Sequence, residues 1–179
     1  MNEMQFKKGQ ILSYGTNGIC IVDDIKTLKI TLDSKPEPYY ILKLKRDAQS
    51  TVSVPVANTM LTSKMREPMS KDQINTMLHS AKERRMVWTS DRRSRNDRFR
   101  EIMVDGVSTD LLRMIMCIYE RKNKLYKEGK KLPVTDANTL KNAVRLFEEE
   151  VAYVFEMPEE DVAPYVKKTM GIRYDGHTI

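Results

Sequence analysis

The apolar residues of this chain change their spacing near residue 58, and that change limits the fold more than any single motif does. Up to Val56 they come in short runs rich in Val, Ile and Tyr, separated by Gly, Asn, Asp and Pro, the pattern of strands and tight turns. Ile11 to Tyr14 is one run, and Asn17-Gly18 supplies a turn. Ile19 to Ile30 is long enough for one bent strand or two short ones, and Tyr39 to Lys45 follows a turn at Pro36 and Pro38. Val52, Val54 and Val56 alternate with Thr51 and Ser53, which predicts one buried and one exposed face. Four or five short strands in fewer than 60 residues predict a small SH3-like or Tudor-like barrel. Its edge backbone would be available for pairing with another chain, unless the sheet contacts only the rest of this protein.

After Asn58 the apolar residues recur at helical spacing. Ser70-Lys71-Asp72-Gln73 has the form of a capping box, and Met69 with Ile74 the spacing of a hydrophobic staple, so a helix is predicted from Lys71 to about Ser80. Asp91 predicts an N-cap for a helix to about Val104. The apolar residues of that helix are Phe99, Ile102 and Met103, a stripe that anchors one face and leaves Arg92, Arg93 and Arg95 in solvent. Gly106 ends it, and a third helix from Ser108 or Thr109 to near Gly129 is apolar on nearly all sides. The fourth, Asp136 to Phe155, has a clear apolar face, with Glu148, Glu149 and Glu150 reading as solvated. Pro158 opens a short last helix that Pro164 is expected to split, and residues 171–179 read as a frayed tail. The predicted class is α+β: a barrel domain over 1–57, a linker over 58–69 and an all-α helical bundle domain over 70–170.

Most catalytic chemistry lacks its tools here. His79 and His177 are the only histidines and neither has a nucleophile or carboxylate at triad spacing. No phosphate-cradling glycine loop follows a strand and no paired-histidine metal motif occurs, so an enzyme is not expected, nor a cofactor or a metal. Cys20 and Cys117 stand far apart without partners at ligand spacing and read as two reduced core thiols. The longest apolar run is the six residues Met114 to Tyr119, and the first residues do not resemble a signal segment, so no membrane contact and a cytoplasmic location are expected.

Charge carries more information. The chain has 179 residues and a net charge of +6, but residues 61–131 alone hold 18 basic and 10 acidic side chains, whereas 132–179 hold 5 and 9. A field concentrated in mid-chain suits a polyanion, nucleic acid foremost, although a solvated helical face laced with ion pairs has the same composition. Lys82, Arg84, Arg85, Arg92, Arg93, Arg95, Arg98 and Arg100 place eight cations in 19 residues around the single Trp88. Trp88 has two uses that spacing does not separate. It is either an anchor closing the bundle or a wedge pressed against bases while the arginines hold the backbone.

Phe6-x-x-Gly9, Tyr14-Gly15-x-Asn17-Gly18, Tyr39-Tyr40-Ile41-Leu42, Val54-Pro55-Val56 and then Trp88 with Arg92 and Arg93 resemble, in that order, the CarD/CdnL family of bacterial transcription regulators. The resemblance implies a Tudor-like domain that binds the β subunit of RNA polymerase by edge-strand pairing. It also implies a helical domain that contacts upstream promoter DNA, where Trp88 wedges into the minor groove and stabilises the open complex. On this reading Trp88, Arg92, Arg93, Arg84, Arg85, Arg95 and Lys82 bind DNA without reading its sequence, and Leu28, Lys29, Ile30 and Ser53 meet the polymerase. Gly15 and Asn17 replace a common Pro and His of the family's turn, and Ser53 stands where a basic residue often precedes Val-Pro. A monomer is expected. The rival readings are a protein-only adaptor and an RNA-binding or ribosome-associated factor using the same basic face.

Overall fold

The computed structural model describes residues 5–29, 31, 35–81, 83 and 85–176. The chain divides into two compact units, residues 1–68 and 69–179.

The first unit is a five-stranded antiparallel sheet: β1 (Ile11–Tyr14), β2 (Ile19–Leu28), β3 (Glu37–Leu44), β4 (Thr51–Pro55) and β5 (Met65–Arg66), in the spatial order β4-β3-β2-β1-β5. A single turn of 3-10 helix, Gly15–Asn17, joins β1 to β2, and Gly18 closes it at φ 75°, a conformation that costs glycine little. The run from Ile19 is one strand that bends: the pairing with β3 shifts register between Val22 and Asp24, so Asp23 is the extra residue of a bulge. β3 starts two residues before Tyr39, and Pro38 lies inside it opposite Thr27 rather than in a turn. Leu12, Val22, Leu42 and Val54 are fully enclosed in the core. Thr51 and Ser53 are exposed while Val54 and Val56 are buried, as the alternation predicts.

Residues 58–69 are not a simple linker. Asn58 caps the short helix α1 (Thr59–Thr62) by accepting the Leu61 N–H, and β5 pairs with β1 through Ser13–Arg66 and Tyr14–Met65. Thr62 and Met65 are buried, so this stretch completes the first unit.

The second unit holds α2 (Lys71–Ser80), α3 (Arg92–Asp105), α4 (Ser108–Lys127), α5 (Val134–Phe155) and α6 (Glu159–Met170). The Ser70 capping box forms with both of its hydrogen bonds, and Gly106 ends α3 in the left-handed conformation at φ 63°. Leu111, Met114, Ile115 and Ile118 of α4 meet Leu140, Val144, Phe147 and Val151 of α5 in one apolar cluster.

Three expectations fail here, for related reasons. Glu148, Glu149 and Glu150 are buried, because α5 packs against α2, α3, α4 and α6 and has no free side over residues 146–152. Glu150 accepts the Met69 N–H at 2.9 Å and the Ser108 hydroxyl, and Arg145 donates to Glu149 at 3.3 Å. Pro164 does not split α6; it lies on an exposed side, where the unbonded Glu160 carbonyl meets water. The tail is held through Gly176: Tyr174 packs edge-on against Tyr119 and Phe147, and the Tyr119 hydroxyl donates to the Gly176 carbonyl at 3.2 Å. His177 lies outside the described residues.

Candidate functional site

Besides the two-residue edge strand β5, two stretches of sheet edge carry no neighbouring strand among the described residues. One is β4. The Leu44 N–H bonds to Ser50 and the Val56 N–H to Pro38, so the alternation of an antiparallel ladder turns the backbone of Thr51 and Ser53 away from β3, toward the free edge. The other is the outer part of β2, because β1 pairs only as far as Ile21 while β2 runs on to Leu28. Leu28 and Lys29 therefore follow the β2 edge and Ser53 the β4 edge, with β3 between them; they do not form one line. Ile30 lies outside the described residues. Lys8 and Lys26 reach Asp24 at 3.2 and 3.6 Å, and these cations hold its carboxyl below the usual range, the Lys8 hydrogen bond foremost.

In the second unit, Trp88 sits in the loop before α3. It is half-buried, not the largely exposed ring that a free wedge suggests, and not a core residue either. Its ring meets Phe99 edge-on at 6.2 Å between centroids, while its neighbour Val87 is 79% exposed. The Arg95 guanidinium lies 4.3 Å from the ring centroid and that of Arg121, from α4, lies 5.5 Å away.

Arg95 is not in solvent. It is only 6% exposed, its Nε and Nη2 donate to the two carboxylate oxygens of Asp136 at 3.2 and 3.1 Å, and Nη1 donates to the Thr89 and Ser90 carbonyls. Asp136, itself 1% exposed, belongs to the first turn of α5. With four of its five N–H donors used, its charge cancelled and its side chain buried, Arg95 has little left for a phosphate. The spacing holds the reason: Arg95 is four residues before Phe99, on the same stripe of α3 that faces the core.

The other cations divide. Arg92, Arg93 and Arg98 are exposed, Arg92 touching the Thr135 hydroxyl at 3.4 Å. Arg85 is exposed and paired with Glu120 at 2.9 Å, and Arg100 is paired with Asp97. Lys82 and Arg84 lie outside the described residues. The start of α3 is fixed by Asp91, whose carboxylate accepts the Ser94 N–H at 2.7 Å, a bond that lowers its pKa. Sequence reasoning missed Arg121 and Asp136, whose partners are dozens of residues away; the only trace of Arg121 was its place in the basic end of α4.

Cys20 and Cys117 are buried thiols not joined in a disulfide, one in each unit. Among the described residues no group of His, Cys, Asp and Glu is placed to hold a metal ion, and no helix is long and apolar enough to cross a membrane.

Comparison with known proteins agrees with the first unit. No curated protein matches the chain. A family model does, that of the CarD-like/TRCF RID domain, over residues 6–67, a span that takes in all five strands and the α1 segment. By that match and by the sheet it covers, residues 6–67 are similar to the CarD-like/TRCF RID domain, consistent with a CarD/CdnL-like RNA polymerase-interacting domain.

Proposed function

We propose that this protein is a non-enzymatic regulator of transcription initiation, working in the cytoplasm as a monomer that joins RNA polymerase to promoter DNA. The observation that carries the first half is the RNA polymerase-interacting domain identified over residues 6–67. Its exposed β4 edge, with the outward backbone of Thr51 and Ser53, suits pairing with a strand of the polymerase β subunit. The second half rests on the Trp88 loop. Val87 and part of the Trp88 ring face outward, and Arg92 and Arg93 stand exposed at the start of α3 beside them, an apolar tip flanked by phosphate-seeking charge. Such a tip suits the minor groove at the upstream edge of the open complex.

Phosphate contacts carry no base information, so free DNA is bound weakly and without sequence preference, and the polymerase supplies the placement. The test is the lifetime of a promoter open complex with cognate polymerase, without the protein, with it, and with Trp88→Ala, at one salt concentration. A lifetime extended by the protein and not by the variant supports the bridge and the wedge together. No extension, with polymerase still captured, leaves the first unit's role standing and makes the helical unit a protein adaptor; preference for structured RNA over forked duplex DNA overturns the DNA role.

A further inference from the structure

Two guanidinium groups lie against Trp88, and their charge balance differs. Arg95 is spent on Asp136 and on two carbonyls. Arg121 has no carboxylate within ion-pair distance among the described residues, and its Nε is shut away from water without a hydrogen-bond acceptor. Glu120 of α4 pairs with Arg85, and Glu128, just past the end of α4, pairs with Lys130 at 3.1 Å and interacts with Arg121 only as a weaker, longer-range charge. A half-buried guanidinium without an ion-pair partner, 5.5 Å from the centroid of a half-buried aromatic ring whose loop leads into the exposed Arg92 and Arg93, is a charge that an anion can still meet.

We propose that Arg121 is a nucleic-acid contact of the Trp88 site, binding a DNA backbone phosphate beside the base step that Trp88 touches; this rests on the DNA role given to Trp88 above. The planar fork of Arg121 is a charge without an ion-pair partner beside the ring, and that charge suits a phosphate. Lys124, one turn further along α4 and exposed, lies on the same side and extends the charge. The contact surface then has parts from three places in the chain: the Trp88 loop, the start of α3 and the second half of α4. Arg95 divides the labour by holding the ring, while Arg121 supplies the charge.

The experiment is the salt dependence of binding to a labelled forked DNA duplex, with the full chain, for wild type, R121Q, R121K, R93Q and W88A. R121Q keeps the side-chain stem and removes the charge, and its Trp88 emission and thermal midpoint report whether the fold is kept. The expected result is a slope of log K against log salt reduced by about 0.9 in R121Q, the value of one phosphate contact, restored in R121K, and unchanged in W88A despite weaker binding. R121Q with the wild-type slope, while R93Q lowers it, overturns the role of Arg121 and leaves the DNA reading intact. A lower thermal midpoint for R121Q without a change of slope assigns Arg121 to packing and also overturns the proposal. Wild-type binding that is insensitive to salt, or stronger to an RNA hairpin, overturns the DNA reading itself and Arg121 with it.

Discussion

Arg95 stacks on Trp88, with its guanidinium 4.3 Å from the ring centroid, and the same guanidinium clasps both carboxylate oxygens of Asp136. One side chain thereby joins the loop carrying Trp88, the first turn of α3 and the first turn of α5. The ring is preset before any partner arrives, which lowers the ordering cost of binding.

Removing that clamp has two readouts. Arg95→Ala leaves Asp136 as a buried, uncompensated carboxylate, a loss of about 3–5 kcal/mol in urea denaturation. It also frees the Trp88 ring, so the emission of this single tryptophan shifts to the red and acrylamide quenches it more strongly. Arg95→Lys keeps a charge but lacks the fork, and falls between the two. Unchanged quenching in Arg95→Ala would show that Phe99 alone holds the ring.

Ser53→Pro separates folding from docking. The Ser53 N–H points away from β3, so proline there removes no ladder bond and an edge strand tolerates it. The variant is expected to keep the wild-type thermal midpoint within a few degrees and to lose capture of the polymerase β subunit in a pull-down. Full capture by a folded variant would move docking to the β2 edge, where Leu28 and Lys29 lie.

Glu150 ties the start of α2 to the start of α4 through the Met69 N–H and the Ser108 hydroxyl. Glu150→Ala strands both donors and costs about 3 kcal/mol, and Glu150→Gln, which keeps an acceptor, costs less than half of that. Equal losses in the two variants would mean that the carboxylate charge, not its hydrogen bonding, matters.

Alkaline pH should unfold the helical unit. Burial pushes the Tyr119 and Tyr174 phenols well above their ordinary value near 10, with Asp175 and Glu148 adding to the effect on Tyr119 and Glu148 to that on Tyr174. In the unfolded chain both ionise near 10, so the stability they contribute is full below that pH and is lost progressively as the pH rises above it. Absorbance at 295 nm during a pH titration should show these two phenols ionising only together with loss of the helical signal. Their titration near pH 10 in a folded chain would contradict the burial.

The sequence alone determined what depends on neighbours. β1 begins and ends where its run does, the Ser70 box starts α2, Asp91 caps α3 and Gly106 stops it, because each is decided by contacts within one turn or one strand. The Trp88 loop with Arg92 and Arg93 was legible for the same reason. What the tertiary structure decided is the fate of polar groups on faces that other elements cover. Arg95 and Glu150 each sit one turn from a core phenylalanine, Phe99 and Phe147, on a buried stripe. A charge is allowed on such a stripe only if a partner arrives from elsewhere, and the partners, Asp136 for one and Met69 and Ser108 for the other, lie 41, 81 and 42 residues away. Local spacing says that a side chain faces inward; only the packing of the other helices supplies the opposite charge or the donor that makes its burial stable, and so separates a structural arginine from one free to meet a phosphate.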